Sequence, residues 1–254
     1  MLLDVLDFPR KFIRVGEKNR ISSMASVNEI ECAAVSFGVN IPHSPFLTEM
    51  RIKRLNEERY EGQEIRGALH VVKKGDTVLE LGAGLGFVGA AIAKNCKPKS
   101  VMSFEANPEL IPHIENMYKI NKIEKTIQVK NAALFSQSSP PKTVDFFLGK
   151  SFLGSSLSPD IRGAVKKVSI PTAEFSKVNK KLEANVLVLD IEGGELDFLD
   201  HADISGMRAI VIEFHPSIYG IEGMRKCKNI LQNIGLNPHQ ELSTRTVWVC
   251  EKHS

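Results

Sequence analysis

Val186-Leu187-Val188-Leu189 and Ala209-Ile210-Val211-Ile212 are apolar at every position. An extended chain points successive side chains to opposite faces. A strand without polar alternation is therefore covered on both faces, as in a parallel sheet held between helices. This constrains the chain more than any other feature, because parallel neighbours need a long crossover, usually a helix. The sequence supplies those crossovers from Tyr60 onward. EGQEIRGALHVV reads as a helix, TVLEL as a strand, LGFVGAAIAKN as a helix and SVMSFEA as the next strand. NPELIPHIENMYKIN reads as a helix with Asn107 as its N-cap and Pro108 in its first position. TIQVKNAAL is a third strand, FFLGKSFLGSSL and VKKVSI are added strands around a loop, and PTAEFSKVN is a short helix. NVLVLDIEGGELDFL gives strand, sharp turn and helix. IEGMRKCKNILQNIG is a helix stopped by Gly235, and TVWVC is a returning antiparallel strand. The alternation predicts an α/β fold, a doubly wound and mostly parallel sheet with helices on both sides.

Residues 1–58 show no clear period and are expected to form an N-terminal extension packed on a main domain at 59–254. Within the extension, VSFGVNIP reads as a short strand pair about a glycine turn. Of 254 residues, 43% are apolar, which supports a large core. The net charge is +3 and the basic residues look scattered along the chain, so no nucleic-acid or membrane partner is expected. Cys32, Cys96, Cys227 and Cys250 form no zinc-type spacing, and free thiols suit the cytoplasm. Asp4 and Asp7 interrupt the first apolar run, unlike a signal-peptide core.

In a doubly wound sheet, ligands sit beyond the carboxyl ends of the strands, where the strand order reverses. TVLEL runs into a glycine cluster at such a place. Gly84, Gly86 and Gly89 match the dinucleotide pattern GxGxxG, while Gly82, Gly84 and Gly86 match the GxGxG loop of S-adenosylmethionine (SAM) enzymes. The glycine directly after the strand is Gly82, and counting from it the dinucleotide spacing fails. Glu80 separates the two further. A pyrophosphate would be repelled by a carboxylate at the strand end, whereas SAM carries an ammonium and a sulfonium and no phosphate. Glu80, Gly82, Ala83, Gly84 and Gly86 are therefore candidate SAM contacts. Glu105, followed by Ala106, lies 25 residues beyond Glu80 and suits a ribose diol. Asn131 and Ala132 end the third strand, where an adenine ring would pack.

A second constellation follows the fourth buried strand. Asp190 and Glu192 are two apart, Gly193 and Gly194 permit a sharp turn, and Glu195 opens the next helix, where an acid suits the positive dipole end. His215 follows the next strand, with Glu213 two residues before it. Asp190 falls on the methyl side of a SAM site, and Asp190, Glu192 or His215 is the candidate base for an acceptor hydroxyl. The bland alternative makes Asp190 or Glu192 a helix cap. A divalent cation held by the carboxylates is an option that no metal-type spacing indicates, and no metal ligand is assigned.

VLELGAGLGFVGAAIA, FEANPELIPHIENMYKIN, VLVLDIEGGELDFL and IVIEFHP, in this order, resemble the FkbM family of SAM-dependent methyltransferases, as do YEGQEI and GSSLSP. The resemblance covers about residues 35–250, and Gly194 departs from it, since the family more often has alanine there. It implies a seven-stranded class I methyltransferase fold, Rossmann-like with one antiparallel strand. It also implies O-methylation of a small-molecule or glycan hydroxyl. By the same resemblance Glu61 touches SAM, and Asp190, Glu192 and Gly193 mark the methyl-transfer site. Three alternatives remain open: a nucleic-acid methyltransferase on the same fold, an NAD-dependent oxidoreductase, and a non-catalytic SAM-fold binding protein.

Overall fold

The computed structural model describes residues 32–149 and 164–252. Residues 1–31 of the expected extension, and GSSLSP with Phe152 and Leu153, lie outside the described residues. The chain opens with a hairpin of β1 (Cys32–Ser36) and β2 (Val39–Pro42), turning at Phe37-Gly38 as the sequence predicted. Then come α1 (Glu49–Asn56), α2 (Gly62–Val71), β3 (Thr77–Leu81), α3 (Phe87–Asn95), β4 (Ser100–Glu105), α4 (Ile111–Ile120) and β5 (Ile127–Asn131). β6 (Ala133–Phe135), β7 (Thr143–Gly149) and β8 (Ala164–Glu174) form a small separate sheet. The chain ends with α5 (Phe175–Leu182), β9 (Val186–Leu189), α6 (Glu195–His201), β10 (Ala209–Glu213), α7 (Pro216–Asn233), β11 (Leu236–Pro238) and β12 (Val247–Lys252).

The main sheet has seven strands in the order β11-β12-β10-β9-β3-β4-β5. β3, β4, β5, β9 and β10 are mutually parallel, and β12 is antiparallel to both β10 and β11. The strand order reverses between β3 and β9. This is the doubly wound class I methyltransferase fold with one antiparallel strand.

The fully apolar strands split by parity between two cores. Val78, Val186, Val188, Ala209 and Val211 face one cluster with residues of α2, α3 and α4. Leu79, Leu81, Leu187, Leu189, Ile210 and Ile212 face the other, with Phe198, Met224, Cys227 and Leu231 of α6 and α7. Valine and alanine side chains meet α2 and α3 on one side, and larger leucines and isoleucines pack beneath α6 and α7 on the other. The hairpin is fastened to the first layer. Asn40 and Asn121 exchange bonds (2.8 Å from the Asn40 N–H, 2.7 Å to the Asn40 carbonyl), and Asn95 Nδ2 donates to the Phe37 carbonyl at 3.0 Å.

Two elements depart from the sequence reading. α4 begins at Ile111, because Asn107 closes a separate turn by accepting from the Glu109 N–H at 2.9 Å. PTAE belongs to β8 and not to a helix. Pro171 sits where β8 stops pairing with β7 and starts pairing with β6, so its missing N–H costs little in the ladder.

Candidate functional site

The loop after β3 crosses the end of β9 at the point of strand reversal. Gly82 (φ +85°) has no room for a side chain, since a Cβ there would overlap the Asp190 carbonyl oxygen. Gly84 and Gly86 also have positive φ, at +54° and +76°, and a Cβ on Gly86 would collide with Ile114. The glycines are thus fixed by backbone crossing and handedness. The loop is tied to β4: the Gly82 and Ala83 N–H groups both donate to the Phe104 carbonyl, at 3.0 and 3.1 Å.

A cavity opens beside this crossing. Glu61, Glu64, Glu80, Asp190 and Glu213 line it, with Gly82, Val88, Val188, Leu189 and Val211. Five carboxylates therefore converge from α2 and its N-cap, β3, the end of β9 and β10. Burial pushes Glu80 and Glu213 up to about 7, and it raises Glu61 and Asp190 well above the usual carboxylate range. Like charge adds to the rise, from Asp190 onto Glu61 and from Glu213 and Glu192 onto Asp190. Glu61 Oε2 and Asp190 Oδ1 are buried without a hydrogen-bond partner.

Glu80, expected to face the cationic end of SAM, also has partners within the chain. Its Oε2 accepts from Ser103 Oγ, and its carboxylate accepts from the Gly89 N–H in the first turn of α3. Gly86, the N-cap of that helix, has no side chain to do this, so Glu80 serves as a remote cap. The unsatisfied acids nearest the cavity are Glu61 and Asp190.

Glu105 closes the loop from β4. Its two oxygens accept from the Gly84 and Asn107 N–H groups, both at 2.7 Å, and burial pushes it up to about 7. Asn131 is spent elsewhere: Nδ2 donates to the Glu105 and Ala106 carbonyls, both at 2.9 Å. The Ala132 N–H also bonds the Glu105 carbonyl, at 3.1 Å. That corner offers a packing wall, and the Asn131 amide is not free to hold a ring.

The second constellation gathers around His215. Its Nδ1 lies 3.0 Å from Glu195 Oε1, and its Nε2 lies 3.4 Å from Glu192 Oε2 and 3.8 Å from Asp190 Oδ1. Its backbone N–H donates to the Tyr219 hydroxyl at 2.7 Å. Desolvation works to lower the imidazole pKa, but the Glu195 hydrogen bond and the surrounding carboxylates carry it up to about 9. Asp190 and Glu192 stand two apart, which within a strand would put both on one side. They meet His215 for another reason: β9 ends at Leu189, and Glu192 turns the chain back in a left-handed conformation (φ +52°). Glu61 is also left-handed, at φ +46°. Glu58 and Glu183 are left-handed as well, away from the cleft, so the conformation by itself does not mark the site, but it is what turns Glu192 back towards His215.

Glu195 is the residue that the sequence reading missed. Its place at the start of α6 suggests no more than a partner for the helix dipole. It is instead fully buried, and its Oε1 accepts from the Ile191 and Gly193 N–H groups, at 3.2 and 3.1 Å, as well as facing His215. The signal was in the string: the third acid of D-x-E-G-x-E stands where the turn folds back on the strand end.

The lysines that look scattered in sequence are collected by the fold. Lys74, Lys97, Lys99, Lys119, Lys122 and Lys125 are all exposed, at or near the amino ends of β3, β4 and β5, with the exposed Glu124 among them. Backbone bonds hold these segments together: Gly75 N–H to the Lys97 carbonyl, Lys99 N–H to Asp76, and Val101 N–H to Thr126. Asp76, the nearby buried acid, is already paired with Arg208.

A TRM5/TYW2 methyltransferase domain model matches residues 52–138, which run from α1 past the glycine loop and Glu105 to the end of β6. The FkbM resemblance is overturned by this match, to a different methyltransferase family. No curated protein matches the chain. Solved structures that resemble it include Sp1610 of Streptococcus pneumoniae, a proposed tRNA (m1A22) methyltransferase, at 11% identity and TM-score 0.44, covering 74% of this chain and 68% of that one. TYW2 of P. horikoshii, in complex with MeSAdo, is 14% identical with TM-score 0.43, covering 85% and 67%. TrmK of M. capricolum, in complex with S-adenosyl-homocysteine, is 9% identical with TM-score 0.42, covering 74% and 66%. The expectation of no nucleic-acid partner is overturned by the match to a TRM5/TYW2 methyltransferase domain. It rested on lysines that are dispersed in sequence, and the folded chain assembles them on one edge.

Proposed function

We propose that this chain is a SAM-dependent methyltransferase whose acceptor is a base nitrogen of an RNA. The observation that carries the reading is the TRM5/TYW2 methyltransferase match over residues 52–138, which contain Glu61, the glycine loop and Glu105. The residues fit the cofactor: a cavity walled by Glu61, Glu64, Glu80 and Glu213, with an unsatisfied carboxylate oxygen on Glu61, suits an ammonium and a sulfonium, and no phosphate. Gly82, Ala83, Gly84 and Gly86 would let its backbone-like end approach, and Glu105 would take the ribose hydroxyls. When bound, SAM supplies an electrophilic methyl group on a sulfonium.

The chain's own contribution is alignment and proton removal. Asp190, Glu192 and His215 stand together beyond β9 and β10. A base nitrogen that carries a proton must lose it, and burial raises the pKa of both Asp190 and Glu192, which makes either a better proton acceptor than a free carboxylate. Reaching such a nitrogen in a duplex requires the base to leave the stack. The lysine edge supports a polyanionic acceptor, since phosphate contacts provide most of the sequence-independent affinity for nucleic acid. A five-residue strand spans roughly 17 Å, so one RNA hairpin can reach from that edge to the carboxyl-end cleft. Among the described residues, no helix is long and apolar enough to cross a membrane.

The test is methyl transfer from radiolabelled SAM to total tRNA, a glycan panel and a small-molecule hydroxyl panel. Label in tRNA that nuclease digestion places on a base supports the proposal. Label only in glycans or small molecules, or no calorimetric binding of S-adenosylhomocysteine, rejects it.

A further inference from the structure

We infer that the Asp190–His215 cluster is a divalent-cation site, with His215 Nε2 and Asp190 as ligands, Glu192 closing from the solvent side and Glu195 orienting the imidazole. Resting on the RNA reading, the inference also deepens it, because a mouth walled by carboxylates repels phosphate unless a cation stands between them.

The geometry is the first argument. The gaps from His215 Nε2 are 3.4 Å to Glu192 Oε2 and 3.8 Å to Asp190 Oδ1. Both are longer than a good N–H···O bond, which falls at about 2.7–3.2 Å. They suit neighbouring ligands on one ion with bonds of about 2.0–2.2 Å. Donor atoms of Asp190, Glu195 and His215 all lie within 4.8 Å of one another. The second argument is unmet valence. Asp190 Oδ1, the oxygen that faces His215 Nε2, is buried without a hydrogen-bond partner. A buried acceptor left empty is expensive unless something else satisfies it.

The third argument is orientation. A metal-bound histidine usually donates its other ring N–H to a carboxylate, which fixes tautomer and ring plane. Glu195 stands in that place: its Oε1 lies 3.0 Å from Nδ1, and two backbone N–H groups hold it there. Oxygen donors with one imidazole, open to solvent, suit Mn2+ or Mg2+ better than a thiolate-loving ion. Another cluster, His70, His239 and Glu251, brings donor atoms equally close. There Glu251 is already neutralised by Lys73 and Arg208, so it is the weaker candidate and a useful control.

The experiment is a Mn2+ titration of the full chain after EDTA treatment, read by electron paramagnetic resonance and calorimetry, with neither SAM nor RNA present. One saturable site is expected. Asp190→Asn and His215→Ala should each weaken it at least tenfold, Glu195→Gln should weaken it less, and His239→Ala should leave it unchanged. Circular dichroism melts check that each variant folds, and Glu192→Gln, at the exposed lip, gives a second handle if Asp190→Asn does not. No saturable Mn2+ binding by the wild-type chain overturns the inference. So does binding that survives both Asp190→Asn and His215→Ala, or that is lost in His239→Ala. Because no acceptor is involved, such a failure leaves the RNA reading standing, and a failure to methylate RNA leaves the metal result standing.

Discussion

Glu192 shows how much one residue's backbone can say. A side chain at φ +52° bears a cost that glycine does not, of roughly 1–2 kcal/mol for an L-residue in the left-handed region. Alanine would keep that strain while losing the carboxylate. Glycine would lose both. Glu192→Gly is therefore expected to unfold at higher denaturant than Glu192→Ala, by about 1 kcal/mol, with methyl transfer reduced in both. Equal stability of the two variants would show that the strain is not stored at this position. Gly82 gives the opposite case. Its φ of +85° and its crossing of the Asp190 carbonyl forbid any Cβ. Gly82→Ala must move either the loop or the end of β9, so S-adenosylhomocysteine binding should be lost even if the fold survives. Calorimetry on the folded variant reads this directly, and unchanged affinity would mean that the loop does not receive the cofactor.

At the scale of elements, the sequence was most readable where burial is two-sided. β9 and β10 were legible because no parity of theirs is polar, and the glycine loop because its turn follows TVLEL at once. The start of α4 was misread because Asn107 is a true cap, but of a turn and not of the helix. PTAE was misread because a proline in a strand is allowed where pairing changes partner. The resemblance put Glu61 and Asp190 at one site, but that Glu64 and Glu213 join them was not legible, since it depends on how α2 lies across β10 and β12. That packing is itself testable. Gly67 on α2 leaves no space for a methyl group, because a Cβ would overlap Val249 of β12. Overpacking of this kind typically costs about 1–3 kcal/mol. Gly67→Ala should destabilise by that amount, and Val249→Ala, added to it, should recover part of the loss as coupling in a double-mutant cycle. Simple additivity of the two would place α2 farther from β12 than the structure does.

For the whole molecule, the buried acids set a pH dependence whose sign is fixed. Glu80 and Glu105 titrate at about 7 in the folded chain, chiefly through desolvation. Unfolded glutamates titrate at about 4.3. Between those values the folded state holds more protons than the unfolded one, so stability falls as pH rises through the window. Glu251 works in the other direction. Despite the opposing effect of burial, bonds to Lys73 and His239 depress it, so its contribution is present above the unfolded value and lost only as pH drops below it. Stability without cofactor should therefore peak near pH 5 and decline towards pH 7.5 by roughly 5 kcal/mol, about half from each of the two glutamates. Glu80→Gln should flatten the decline, because an amide cannot ionise. Cofactor binding runs against the same gradient. A cation favours the ionised cavity, so saturating S-adenosylhomocysteine, which retains the ammonium, should raise the melting temperature more at pH 7.5 than at pH 5.5. Thermal melts at the two pH values, with and without the ligand, give the comparison. A larger shift at pH 5.5 would mean that the carboxylates of the cavity are not what meets the ligand's positive charge.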